Sequence, residues 1–213
     1  MVEEFVYSQV QTHLESLVPA RPPELAAMEA DAAQNGFPII GPVCGQLCYQ
    51  VARLIGARRI FELGSGYGYS TAWFARAVAE NGGGEVHHVV WDAELSARAR
   101  RHLDTLGYAG IVHYHVGEAV AALRNAEGPF DLIFNDIDKH AYPEALPVIE
   151  AKLRPGGVLI IDNMLWHGRI FDPADRDPST EGVRNVTQVL ATGAGWIASL
   201  LPLRDGLMVA QRV

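Results

Sequence analysis

The chain has 213 residues, 49% of them hydrophobic and 20% charged, a balance that suits a globular α/β domain running over 1–213 with a sizeable buried core. Its formal net charge of −8 argues against non-specific nucleic-acid binding and against anionic membrane surfaces as partners. No apolar run approaches the roughly 20 residues of a membrane span.

Residues 1–35 read as an N-terminal helical cap. Phe5, Val6, Val10, Leu14 and Leu17 recur at helical spacing, the Pro19–Pro23 stretch breaks the run, and Glu24–Gln34 resumes it. Such a stripe packs either on the chain's own domain or on another subunit, and a homodimer through these helices is the expectation. The acidic start lacks the basic and apolar regions of a signal peptide, so the expected compartment is the cytoplasm. Gly36–Pro42 is a loop, and Val43–Ile55 is a helix stopped by Gly56. Cys44 and Cys48 fall four apart in that helix's apolar pattern and read as reduced core thiols rather than a metal pair.

The next stretch organises the rest. Mostly apolar residues from Arg58 run into Glu62, three alternating glycines follow (Gly64, Gly66, Gly68), and a helix-like run begins at Thr71. Strand, tight loop and helix N-terminus together make a seat for a nucleotide-like ligand. The dinucleotide fingerprint needs G-x-G-x-x-G, but Tyr69 stands where its third glycine would be. A carboxylate at position 62 opposes a pyrophosphate and suits a cationic amino acid, which points to S-adenosylmethionine. A nicotinamide-dependent oxidoreductase and a non-catalytic binding protein remain the alternatives.

Further along, Val86–Asp92 is a strand, Ala93–Leu106 a helix, Ile111–Val116 a strand ending at Gly117-Glu118-Ala119, and a short helix reaches Leu123. Phe130–Asp136 is a strand, Tyr142–Leu153 a helix, Arg154–Gly157 a turn and Val158–Asn163 a strand. Met164–Thr180 is a polar loop, Glu181–Ala191 a helix, and Ile197–Leu203 and Leu207–Val213 flank Arg204-Asp205-Gly206 as a hairpin. The pattern predicts a Rossmann-like, doubly wound, mostly parallel seven-stranded sheet with a C-terminal antiparallel hairpin and N-terminal helices.

Ligands of such sheets bind beyond the carboxyl ends of the strands. Glu62, Asp92, Gly117, Asp136 and the pair Asp162-Asn163 all end strands. Each acid alone would usually be a helix cap or a solvated turn residue. Asp136, Asp162 and the Asn163 amide oxygen together make three hard oxygen ligands that suit Mg²⁺. Lys139, three residues past Asp136, could accept a proton beside such an ion, where an ammonium is disfavoured; His140 and His167 are competing bases.

On these motifs the chain resembles a class I S-adenosylmethionine-dependent O-methyltransferase and is similar to the cation-dependent catechol and caffeoyl-CoA branch. The carrying segments are Glu62 to Ser70, Phe134-Asn135-Asp136-Ile137-Asp138-Lys139, Leu153 to Gly157, Asp162-Asn163-Met164-Leu165-Trp166 and Leu201 to Leu207. The likeness runs from about residue 38 to 213. It implies that Asp136, Asp162 and Asn163 hold the metal and that Lys139 is catalytic. It implies that Glu62, the Gly64-Ser65 backbone and Ser70 hold the methionine end of the cofactor, and that Ala119 lies beside the adenine. Gly66, Gly117 and Asp136 complete the expected cofactor contacts.

One position departs from the pattern. Val90 stands where the family usually has an acid for the ribose hydroxyls. Asp92, two residues on and so on the same face of a strand, is expected to substitute for it. The acceptor implied is a small catechol-like phenol whose adjacent oxygens share one cation. Ile39, Ile40 and Trp166 are the expected walls of its site.

Overall fold

Strands and helices alternate along the chain because its apolar residues switch between runs and helical spacing, and in a computed structural model they assemble around one seven-stranded sheet. The structure describes residues 2–213, with side chains from residue 9 onward. Phe5 and Val6, part of the expected N-terminal stripe, therefore lie outside the described side chains. In chain order the elements are α1 (Val2–Leu17), α2 (Pro23–Asn35), α3 (Gly41–Leu54), β1 (Arg59–Leu63), α4 (Tyr69–Glu80), β2 (Glu85–Val90), α5 (Ala93–Thr105), β3 (Val112–Val116) and α6 (Ala119–Asn125). There follow β4 (Phe130–Asn135), α7 (Tyr142–Lys152), β5 (Leu153–Ile161), α8 (Pro178–Thr192), β6 (Trp196–Leu201) and β7 (Leu207–Arg212).

The strand order is β3-β2-β1-β4-β5-β7-β6, with only the β7 pairings antiparallel. The chain winds outward from β1 to β3, then returns to place β4 on the other side of β1. That reversal opens a crevice above the carboxyl ends of β1 and β4. One apolar core fills the face under α2 to α5, with Trp73, Phe74, Ile60, Phe134 and Ile160 at its centre. A second fills the face under α6 to α8, with Phe61, Ile133, Tyr142, Leu159 and Val183. Each fully buried apolar side chain of this size contributes about 1.5–3 kcal/mol. Burial on both faces is what lets the central strands run without polar alternation.

Register fixes the strand ends. Leu63 sits opposite Asn135, and Asn135 opposite Ile161. The Asp136 amide donates to Leu63 O at 2.9 Å, and the Asp162 amide to Asn135 O at 3.2 Å. The residues after β1, β4 and β5 are thus stitched side by side.

Two expected boundaries are corrected. Arg154–Gly157 is not a turn before the strand but part of β5, whose pairing with β4 slips between Phe130 and Leu132. The backbone there crosses β4 so closely that a Cβ on Gly157 would lie 3.0 Å from Asp131 O. On the other side, β2 stops at Val90, its last pairing being with Val116, so Trp91 and Asp92 lie beyond the strand. The polar loop after β5 holds a short 3-10 segment, Trp166–Phe171. Among the described residues, no helix is long and apolar enough to cross a membrane.

In α1, Val10 and Leu17 are 46% and 64% exposed, while Leu14 is half-buried. Cys44 and Cys48 are buried free thiols, as the apolar pattern of α3 implied, and burial pushes Cys44 up to about 12.

The loop after β1 gives the first test of this architecture. Gly64 has φ +84, and a Cβ there would lie 2.4 Å from Asp136 O. Gly64→Ala should therefore lower the unfolding free energy by about 2–4 kcal/mol, through a strained backbone and a forced separation of β1 from β4. Chemical denaturation of the two proteins measures this, and an unchanged midpoint would contradict the close approach.

Candidate active site

The crevice over β1 and β4 is a cavity of about 530 Å³, a size suited to a small ligand. Asp136, Lys139, Asp162 and Asn163 all line it, together with Gly64, Gly117 and Ala119. The sheet explains the meeting, because β4 and β5 are neighbours in register and their next residues must emerge together.

Asp136 is shut off from bulk water on most sides, and this desolvation pushes its carboxyl up to about 6 against the pull of Lys139. Lys139 Nζ donates to Asp136 Oδ1 at 2.9 Å and to Ile137 O at 3.2 Å. Its head lies 5.6 Å from the centre of the Tyr142 ring and 5.8 Å from that of Trp166. Asp162 is 2% exposed, and burial raises its carboxyl as well. Its Oδ1 has no hydrogen-bond partner, while Oδ2 accepts from Arg204 Nη1 at 3.2 Å. The Tyr142 hydroxyl donates to Asp162 O at 2.9 Å and anchors the strand end.

Asn163 takes a left-handed backbone, φ 58, which turns the chain back toward the cavity. Its Nδ2 donates to Asp205 Oδ2 at 3.3 Å, and the residue lines the cavity. Among the described residues, no group of three or more His, Cys, Asp and Glu is arranged to hold a metal ion. The set here has two carboxylates and is completed by an amide. A buried carboxylate oxygen with no partner beside a second, raised carboxyl is the donor chemistry that a hard divalent cation satisfies.

The glycine loop is held from behind. Glu62 is fully buried and is not part of the cavity wall. Thr71 Oγ1 donates to Glu62 Oε2 at 2.5 Å and lies 3.1 Å from His88 Nδ1, while Glu62 Oε1 has no partner. Burial drives this carboxyl up to about 7, against the pull of the nearby Ser70, Thr71 and Ser65 hydroxyls, and drives His88 down to about 3. Ser65 Oγ accepts from the Val89 amide at 3.0 Å, tying the loop to β2. Ser65, Gly66 and Ser70 thus stand behind the wall with Glu62. Gly66 lies against Phe37, where a Cβ would be 3.2 Å from the ring.

Asp92 is corrected. Its Oδ1 accepts from the Glu94 and Leu95 amides at 2.6 and 3.1 Å as the N-cap of α5, and it does not line the cavity. The strand that was to carry it to the ribose ends two residues earlier. The wall there is Val89, Val90 and Trp91, with the Trp91 side chain largely exposed. Glu118 lines the same wall, but both its oxygens cap α6. Of the expected acceptor walls, Ile39 lines the cavity, whereas Ile40 is buried in the core and Trp166 stands behind Lys139. His140 lines the cavity from an exposed position, and His167 faces solvent against Asp205. Thr71, Arg204 and Asp205 are polar residues to which the sequence reading gave no role in the site.

The chain is similar to known proteins over most of its length. Residues 24–213 match the sequence profile of a family described as O-methyltransferase. The chain is 29% identical over 216 residues to a catechol O-methyltransferase of Niastella koreensis, covering 96% of this chain and 97% of that protein. Among solved structures it is similar to the O-methyltransferase TomG of Streptomyces achromogenes, involved in tomaymycin synthesis and solved in complex with SAM. The TM-score is 0.86 and the identity 29%, over 96% of each chain. An O-methyltransferase of Bacillus cereus in complex with SAH superposes with a TM-score of 0.86 at 26% identity, over 96% of this chain and 97% of that one.

The position of Asp92 makes a sharp expectation. Asp92→Ala should cost about 0.5–2 kcal/mol of stability, the value of an N-cap. The affinity for S-adenosylhomocysteine, the product of the cofactor expected from the sequence, should stay as in the parent. Denaturation and calorimetry on the same samples separate the two; a large loss of affinity would return Asp92 to the ribose.

Proposed function

This chain belongs to the O-methyltransferase family, and from that premise we propose that it moves the methyl group of S-adenosylmethionine to one of two adjacent hydroxyls of a small phenolic acceptor. A divalent cation, Mg²⁺ in the simplest form, is assigned to Asp136, Asp162 and Asn163. The observation that carries the reading is the convergence of those three residues and Lys139 on the cavity that reaches the Gly64 loop end. The partnerless oxygen of Asp162, a buried acceptor on the cavity wall, supports it. The SAM- and SAH-bound relatives support the choice of cofactor.

When bound, S-adenosylmethionine supplies a methyl group on a positive sulfur, and the cation supplies charge that favours an ionised acceptor oxygen. The chain's own residues do the remainder. Asp136, Asp162 and Asn163 orient the acceptor by fixing where its two oxygens can sit. Beside a divalent ion on Asp136 the Lys139 ammonium is disfavoured, and Nζ, once it has released its proton to solvent, can take the hydroxyl proton, Asp136 Oδ1 fixing its position. Pro38, Ile39 and Trp91 give the cavity apolar walls that limit water. A free phenol loses its proton only near pH ~10, so positioning and charge do most of the work at neutral pH. A cytoplasmic setting belongs to the same reading and rests on the free thiols. So does a homodimer through α1, supported by the solvent-facing Val10 and Leu17.

Turnover of catechol should need the metal and vanish in excess chelator. Asp136→Ala should reduce kcat/KM at least about 100-fold. Lys139→Ala should lose about 10²–10⁴-fold, a deficit that shrinks as pH rises and the phenol ionises unaided. Full activity of chelator-treated protein would overturn the mechanism. Light scattering at micromolar concentration should give twice the chain's mass, and a monomer would refute the dimer.

A further inference from the structure

The carboxylate with the partnerless oxygen also has a partner of the wrong kind for a metal site. Arg204 Nη1 stands 3.2 Å from Asp162 Oδ2. A guanidinium stays charged at all working pH values. Any divalent ion on Asp162 would share that carboxylate with it, in a place sheltered from water where like charges repel strongly.

Nothing in the position of Arg204 is casual. It occupies the turn between β6 and β7 in a left-handed backbone, φ 49, which costs a non-glycine residue energy. The turn is closed by Leu203 N donating to Leu201 O and Gly206 N donating to Leu203 O, both at 2.8 Å. The stem of Arg204 runs past Gly41 at the start of α3, where a Cβ would be 3.6 Å from Arg204 Cδ. The head is near enough to the Cys44 thiol for its charge to act on it. It lies on the boundary between the cavity and a second crevice lined by Gln11, Glu15, Gly41, Pro42 and Val43. Glu15 of α1 gives that second crevice a carboxylate of its own.

We infer that Arg204 is a resident cation that holds Asp162 in the metal-free protein, yields that carboxylate to the divalent ion, and thereby weakens and tunes metal affinity. The inference rests on the proposed metal site. It also accounts for two carboxylates standing side by side in the cavity, since Lys139 pairs with Asp136 and Arg204 with Asp162. A simple brace would act in the opposite sense: its loss would leave Asp162 misplaced and metal binding weaker or unchanged.

Mn²⁺ titration by calorimetry on the full chain separates the two roles. Arg204→Gln, which removes the charge and keeps hydrogen-bonding capacity, should bind Mn²⁺ about 10-fold more tightly than the parent. Arg204→Lys, which keeps the charge, should stay close to the parent. Metal-free Arg204→Gln should melt below the parent, and saturating Mn²⁺ should close that gap. Arg204→Gly, which also relieves the left-handed backbone, is read the same way should the glutamine variant fail to fold. Unchanged or weaker Mn²⁺ binding in a folded charge-removed variant, with the parent binding normally, would overturn the role of Arg204 alone. Absence of Mn²⁺ binding in the parent and every variant would overturn the metal site itself, and this inference with it.

Discussion

Two carboxylates that repel each other are held side by side out of the solvent, and much of the molecule serves that arrangement. The pairing of Asn135 with Ile161 brings Asp136 and Asp162 out of adjacent parallel strands. Neither can retreat: the Asp136 amide is bonded to β1, the Asp162 amide to β4, and the Asp162 carbonyl to Tyr142. Both carboxyls are pushed upward by burial, which disfavours their charged forms. Lys139 and Arg204 neutralise the pair. Each counter-cation comes from a different part of the chain, one from the loop after β4 and one from the final turn.

A second buried acid sets up the other half of the cavity. Glu62, at the end of β1, is tied through Thr71 to His88 on β2 and carries one oxygen without a partner. A carboxyl raised to about 7 in a core is costly to ionise, and such cost is kept where it is used. The glycine loop then wraps this acid rather than exposing it. Gly64 is required less by a ligand than by the backbone of Asp136, and Gly68 by Ala99 of α5, where a Cβ would be 2.9 Å away. The loop therefore couples the two acidic centres: what keeps Gly64 against Asp136 also keeps Glu62 behind the cavity wall.

What could be read from the sequence follows from where information is local. Apolar runs between turn signals identify strands, and groups at their carboxyl ends share one rim in any parallel sheet. The meeting of Asp136, Lys139, Asp162 and Asn163 at one cavity was legible for that reason, and so was the strand-loop-helix unit around Glu62. The nicotinamide alternative left by that loop is closed by the family match. Asp92 was misplaced because the end of β2 is set by its partner: β3 stops pairing at Val116, and a two-residue difference turns a site acid into a helix cap. Arg204 was invisible as a site residue because only the antiparallel return of β7 beside β5 brings the final turn to Asp162. Thr71 looked like any first-turn threonine, and its role depends on an acid and a histidine on two different strands.

The central claim is that Asp136, Asp162 and Asn163 define a place for two neighbouring acceptor oxygens, with Lys139 beside them to take a proton. It is tested most directly by supplying S-adenosylmethionine with a labelled methyl group and comparing two dihydroxybenzenes of equal size and polarity, one with adjacent and one with separated hydroxyls. The account predicts label transfer to catechol and little to resorcinol. Equal transfer to both would contradict a site that reads two oxygens at once.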